Sequence, residues 1–396
     1  MASSAFFIIF GYELLRSAST TLFNQAYGVQ NLPIVMSFLP VALILFLFIY
    51  NKLLTRLGAR QTLFATSLLC AIFVFISYYF ILNGSRPWVA LLYIFRECYV
   101  MLLIEQYWSF LNSRLKTEES KKLSGPVIGI SSIGGILGGL TLAYFAQRLG
   151  TMTMLPLAAV LILPAILFSQ WAYRVGGEPV EEKSNHDTSS EKNFGLRLFK
   201  QHRSLVFMFG IVVTSQILSN ILMIEFQTSL QMAYPEPDLQ TAVSGSYYAA
   251  LNAASAALQF LLVPLILRFI SYRIIHRAIP IVHLFSCAYM FLFPSLFSAG
   301  LSYFLFKALD YSIFKAAKEL FYIPFSFDVR YRAKQIIDTF GYRFGKGGSS
   351  IAILFLQRGA VLSSSTYALF GFFASVVWLG FVLPRTLFEK TPSPSE

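Results

Sequence analysis

Charge is scarce in this sequence. Of 396 residues only 13% are Asp, Glu, Lys or Arg, whereas 56% are hydrophobic. A soluble domain of this length carries about 25% charged residues, so the composition excludes that class and leaves a polytopic membrane protein. Cysteine is scarcer still. Cys70, Cys98 and Cys287 all lie in apolar segments, which excludes a disulfide framework and a cysteine metal cluster. Four histidines (His186, His202, His276, His283) are scattered with no H-E-x-x-H spacing, so neither a metal site nor a cofactor is expected. No nucleophile–base pairing appears, so an enzyme is not expected either. Residues Met1 to Ala5 hold no basic stretch and no small-residue cleavage pattern follows; the first apolar segment is expected to stay as a span.

What is present is long apolar sequence. Crossing a bilayer takes about 20 residues, and twelve segments qualify. The first six run approximately 5–27, 33–50, 62–82, 88–111, 125–147 and 152–173, and the second six 205–226, 246–269, 278–297, 301–324, 336–356 and 364–383. The expected fold is therefore all-α: twelve transmembrane helices in two six-helix bundles, residues 1–173 and 204–384. Residues 174–203 join the halves. They are polar and too poor in apolar side chains to bury a core, which suits a flexible cytoplasmic linker. Residues 385–396 form a cytoplasmic tail.

Acidic residues are outnumbered, 19 to 31, giving a net charge of +12. Nucleic acid would be one partner for such a balance, but the placement of the cations argues against it. One set of alternate loops, with the linker and tail, holds 21 Lys and Arg; the opposite set holds only Arg86, Arg148 and Arg358. Positive charge marks the cytoplasmic side, so both termini and the linker are expected in the cytoplasm, with the chain, a monomer, multi-pass in a cell (inner) membrane.

The remaining seven cations fall inside spans, with several carboxylates. Such residues are costly unless paired or facing water, and are functional candidates by default. On the first span Glu13 and Arg16 share a face three residues apart, either as a self-contained ion pair or with Arg16 reaching a cavity. On the fourth, Arg96 and Glu97 point about 100° apart, so each requires a partner on another helix or water. Glu105 returns near the angle of Glu97, and a line of two carboxylates suits gating or coupling as well as structural pairing. On the tenth, Lys307 and Lys318 are eleven apart, nearly one angle, with Asp310 a turn from Lys307 and Lys315 and Glu319 spaced as an ion pair.

The eleventh span carries Arg343 and Lys346 on one face among Gly341, Gly345, Gly347 and Gly348, with no acid within a turn on that side. Glycines permit close approach of backbone or substrate, and the cations suit a phosphate or carboxylate; close helix packing would explain the glycines alone. The fifth span, with Gly125, Gly129, Gly134, Gly135, Gly138 and Gly139, reads as a packing stripe. Neither stretch has Walker spacing after a strand, so hydrolysis is not implied.

Lys318-Glu319-Leu320-Phe321-Tyr322-Ile323-Pro324, followed by Ile337-Asp338 and Arg343-Phe344-Gly345-Lys346-Gly347-Gly348-Ser349, resembles the ATP/ADP translocases of plastids and obligate intracellular bacteria. Gly11-Tyr12-Glu13-Leu14-Leu15-Arg16, Leu32-Pro33, Leu39-Pro40, Asn220 to Leu230 and Tyr234-Pro235 are similar as well. The resemblance implies a major facilitator-like architecture and nucleotide transport, and implicates Asn220, Lys346 and a fourth-span glutamate (Glu97 or Glu105). This chain looks like a short, divergent member. Ser19, Met223 and Gln227 stand where the family has Lys, Glu and Lys.

The expected function is alternating-access transport of an anionic small molecule, foremost a nucleotide, by exchange or with protons. Arg16, Lys307, Arg343, Lys346 and Asn220 are expected to bind substrate, and Glu13, Arg96, Glu97, Glu105, Asp310, Lys318 and Glu319 to gate or couple. Ser19, Met223 and Gln227 favour instead a proton-driven carrier of another organic anion or metabolite. A non-transporting membrane scaffold, with every buried charge paired, is the third reading.

Overall fold

The computed structural model describes residues 1–114, 117–177, 199, 202–322, 325, 334, 336–359 and 362–384, and the side chains of these apart from 112–128 and 339. All regular structure among them is helical, as membrane-spanning backbone without water requires. In chain order the α-helices are α1 (Ala2–Tyr27), α2 (Leu32–Ser37), α3 (Leu39–Leu82), α4 (Arg86–Arg114), α5 (Thr117–Leu149), α6 (Met154–Gly176), α7 (Arg203–Ala233), α8 (Pro237–Ala257), α9 (Val263–Phe269), α10 (Tyr272–Leu292), α11 (Leu296–Leu309), α12 (Lys315–Tyr322), α13 (Tyr342–Gln357) and α14 (Ser364–Val382).

Among the described residues eight helical segments are long and apolar enough to cross a bilayer, including Leu39–Leu82 with a mean hydropathy of 2.1. Not counted among these are α1, α11, α12 and α13, which carry much of the buried charge. Several boundaries differ from the sequence reading. The expected loop between the second and third spans is helical, because Asn51–Leu57 contains no helix breaker. The only non-helical residue inside α3 is Gly58, with φ 74° and ψ 170°, a left-handed backbone that a side chain resists by about 1–2 kcal/mol.

Three π-helical turns interrupt the described spans: Leu258–Leu262, Asp310–Phe314 and Ile336–Gly341. The second lies between Lys307 and Lys318. A π turn inserts an extra residue into the helical count, turning Lys318 from the expected shared angle by about 100°. The eleven-residue argument for one face therefore fails, although both lysines are buried (7% and 4% exposed).

The chain forms two compact units, Met1–Glu182 with Leu230–Ala256, and Lys183–Ser229 with Ala257–Glu396. In the first, α1 packs against α4, α5 and α6 around Leu14, Leu15, Leu92, Leu142 and Ala158. The α5 glycines make that approach possible. A Cβ on Gly138 would stand 2.7 Å from the Cβ of Glu13, and one on Gly139 2.6 Å from the carbonyl oxygen of Gly245 on α8. The stripe is a packing device, as its spacing predicts. The second unit packs α10 against α11 and α14, with His283, Phe306, Phe314 and Trp378 in mutual ring contact. Large apolar side chains such as Leu167 (70% exposed) and Phe285 (73%) face outward, where a lipid-soluble surface expects them.

Candidate functional site

In the second unit, α7 holds α13 through small residues. A Cβ on Gly345 would lie 2.7 Å from both the Gln216 Cβ and the Val213 carbonyl oxygen, and one on Gly341 would lie 3.1 Å from Val212. Packing therefore accounts for these two glycines. The contact is pinned by Asn220, which is fully buried and whose Nδ2 donates to Ser349 Oγ (2.8 Å), Ser350 Oγ (2.9 Å) and the Lys346 carbonyl oxygen (3.3 Å). Asn220, expected at the substrate, thus orients the backbone that carries Lys346.

The exposed stripe of α13 is Phe344, Gly348, Ile351 and Phe355. At 100° per residue Lys346 falls opposite that stripe and Arg343 to one side of it, and both are half-buried. Neither cation belongs to the outward apolar face.

Lysines crowd around α11 and α12. Lys307 Nζ lies 4.0 Å from Asp310 Oδ2 and near the rings of Tyr311 (5.1 Å) and Tyr303 (5.9 Å). Lys318 Nζ lies 2.5 Å from Asp338 Oδ1 and 5.3 Å from the Tyr342 ring. Asp310 is buried, its Oδ1 lacks a hydrogen-bond partner among the described residues, and Lys307, Lys318, Lys315 and Lys346 are all near enough to act on its charge. Glu319 corrects an expectation: its partner is Lys334, at 2.6 Å, not Lys315. The reach of Lys334 from outside the helix outcompetes the i,i+4 geometry at a half-exposed position. Arg330, Arg332, Ile323 and Pro324 lie outside the described residues.

The first unit holds a second constellation. Arg16 is ion-paired with Glu13, whose Oε1 also accepts from Asn252 Nδ2 of α8 at 3.1 Å, and the guanidinium lies 3.4 Å from the centre of the Tyr248 ring. The ion pair expected of Glu13 and Arg16 is present, but it is not self-contained, since Asn252 and Tyr248 also engage it. Arg96 donates from α4 to the Arg16 carbonyl oxygen and to Ser19 and Thr20 on α1, and sits 3.9 Å from the Tyr93 ring. It also approaches Glu97 at 3.6 Å, since the long side chain spans the angle that separates neighbouring residues. Glu97 is half-buried and Glu105 exposed on α4. Ser19 is thus a hydrogen-bond partner of Arg96.

Tyr248, Tyr303, Tyr311, Tyr342, Ser349, Ser350 and Asn252 are the residues that spacing did not reveal. Their partners lie on other helices, and periodicity along one helix carries no information about its neighbours. Among the described residues no group of His, Cys, Asp and Glu is arranged to hold a metal ion.

Helices long and apolar enough to cross a bilayer define the class of polytopic membrane proteins, and comparison bears on the particular kind. Residues 295–388 match the family described as TLC ATP/ADP transporter, which meets the resemblance seen in the tenth and eleventh spans. The chain is 22% identical over 432 residues to the chloroplastic ADP,ATP carrier protein 1 of Arabidopsis thaliana, covering 91% of this chain and 69% of that one. It is 22% identical over 451 residues to ADP,ATP carrier protein 1 of Chlamydia muridarum, covering 94% and 85%. Its fold matches the crystal structure of a point mutant of the nucleoside transporter NupG with a TM-score of 0.71 at 15% identity, over 96% of this chain and 98% of that one. The fold is therefore the one seen in that structure.

Proposed function

We propose that this protein is an alternating-access carrier of nucleotides, in which two six-helix bundles (1–173 and 204–384) rock about a site near the membrane midplane. One observation carries the reading: two buried lysines, Lys307 on α11 and Lys318 on α12, stand on either side of the turn that buries Asp310, with Lys307 Nζ 4.0 Å from Asp310 Oδ2. Buried lysines inside an apolar unit suit a site where an anion shares their charge. Phosphate oxygens suit Lys307, Lys346 and Arg343, and the rings of Tyr311 and Tyr342 offer faces on which a base can stack, worth about 1–3 kcal/mol per base. Similarity to ADP,ATP carriers across more than nine-tenths of the chain supports the same cargo.

In this reading Asp310, Asp338 and Glu319 balance the lysines when the site is empty, and Glu13, Arg96 and Glu97 hold α1 against α4 and α8. The chain crosses a cell (inner) membrane twelve times as a monomer, with the linker and both termini cytoplasmic. The test is uptake of labelled ATP and ADP into proteoliposomes, with and without a pH gradient. Wild-type uptake combined with a fully active Lys346→Ala variant would overturn the site assignment.

A second reading, a carrier of a less charged organic anion, is favoured by Ser19, Met223 and Gln227, which replace three charges of the resembling family. A thermal-shift comparison of nucleotides with sugar phosphates and carboxylates separates the two: stabilisation by the latter alone selects the second.

A further inference from the structure

Among the described residues, Glu225 is buried without a countercharge. It lies on α7, five residues beyond Asn220, and is 1% exposed. Its Oε1 accepts hydrogen bonds from Ser364 Oγ at the start of α14 (2.6 Å) and from Ser229 Oγ one turn along α7 (2.9 Å). Its Oε2 is buried with no hydrogen-bond partner. The other acids paired above in this unit each have a lysine: Asp310 has Lys307, Asp338 has Lys318 and Glu319 has Lys334.

The surroundings of Glu225 are neutral on every described side. The titratable group facing it from α14 is Tyr367, whose hydroxyl oxygen accepts from Gln357 Nε2 of α13 at 3.3 Å. The cation just beyond α13, Arg358, lies 5.2 Å from the Phe355 ring. From α11, Tyr303 stacks on the neighbouring Phe226 at 5.7 Å. Ile221, Ile224 and Ile353 complete an apolar cluster with Tyr367.

A carboxylate left unpaired in such a place costs several kcal/mol, whereas the neutral acid costs little. Gain and loss of its proton therefore follow the arrival of water. We propose that Glu225 is a proton-binding site that couples the carrier to a proton gradient. The carrier reading supplies the transport; proton binding stands on the geometry of Glu225 alone. A proton from water on one side of the membrane adds to Oε2 and leaves to water on the other, with only the O–H bond made and broken. The signal has a path. Asn220 grips α13 at Ser349 and Ser350, and Gln357 with Tyr367 grips its far end, so a change at Glu225 reaches the middle and the far end of the helix that carries Arg343 and Lys346.

Infrared spectra of the full-length protein in liposomes across a pH series read proton binding without any substrate. A protonated-carboxyl C=O band that fades as pH rises should be present in the wild type, absent in Glu225→Gln, and restored at a shifted frequency in Glu225→Asp. A band identical in wild type and Glu225→Gln, or no titrating band at all, overturns the proposal. Ser364→Ala removes one donor to Oε1 and should move the pH at which the band fades; an unmoved band overturns the assignment even if Glu225→Gln fails to fold. In the same vesicles an imposed pH gradient should raise accumulation of labelled ATP several-fold in the wild type but not in Glu225→Gln, with counter-exchange still measurable in both. Equal stimulation in both overturns the coupling. A wild type that moves no nucleotide counts against the carrier reading, while the infrared result decides proton binding separately.

Discussion

Lys318 and Asp338 form the closest ion pair among the described residues of the second unit, at 2.5 Å, with the lysine 6% and the aspartate 27% exposed by side chain. Removing one partner of a buried pair is far more damaging than removing both, because the survivor keeps an uncompensated charge. Lys318→Met should lower stability by about 1–3 kcal/mol, with partial exposure of Asp338 reducing the full penalty. The double variant with Asp338→Asn should recover most of that loss, read as the unfolding midpoint in detergent. At Lys346 the proposed role places the effect on transport instead. Loss of one charged donor, worth about 1.5–3 kcal/mol, should cut nucleotide uptake by Lys346→Ala about tenfold or more while the unfolding midpoint stays within a few degrees. Asn220→Ala should lower both, since it frees Ser349 and Ser350 and lets the backbone at Lys346 shift.

At the scale of the element, the glycines of α5 and α13 have different jobs. On α5, Gly138 and Gly139 let α1 and α8 approach, and a leucine at Gly139 would meet the backbone of Gly245 and Ala249. Gly139→Leu should abolish well-folded protein, seen as loss of the monodisperse peak in size-exclusion chromatography. On α13, Gly345 packs on α7, whereas a Cβ on Gly348 would meet nothing within 4 Å. Gly348→Ala should therefore fold and transport normally, while Gly345→Leu should not fold; both are read by the same chromatography and uptake assays. The π turn at Asp310–Phe314 sets where Lys307 points relative to Lys318. Deleting Ser312 would restore α-helical phase and turn one lysine away by about 100°, so nucleotide uptake should fall even in protein that folds.

At the scale of the whole molecule, loop charge predicts that residue 184 in the linker and residue 396 at the terminus both face the cytoplasm. Cys70, Cys98 and Cys287 are buried, so a single cysteine placed at either position should be labelled by an impermeant maleimide only after the membrane is opened. Labelling from outside intact cells would reverse the proposed orientation.

The membrane class, the helical content and the packing stripe on α5 were all legible in the sequence, because each depends on composition or on spacing along one chain segment. Apolar length has to match a bilayer, and small residues at helical spacing have to face a neighbour, whatever that neighbour is. Only tertiary structure decided who partners whom: Asn220 with Ser349 and Ser350, Asn252 with Glu13, Lys334 with Glu319, and Glu225 with two hydroxyls and no cation among the described residues. These pairings lie on different helices or across a loop, tens to hundreds of residues apart, except for Ser229 beside Glu225. Their distances are set by how helices cross and by π turns that alter phase. No periodicity within a single helix encodes either.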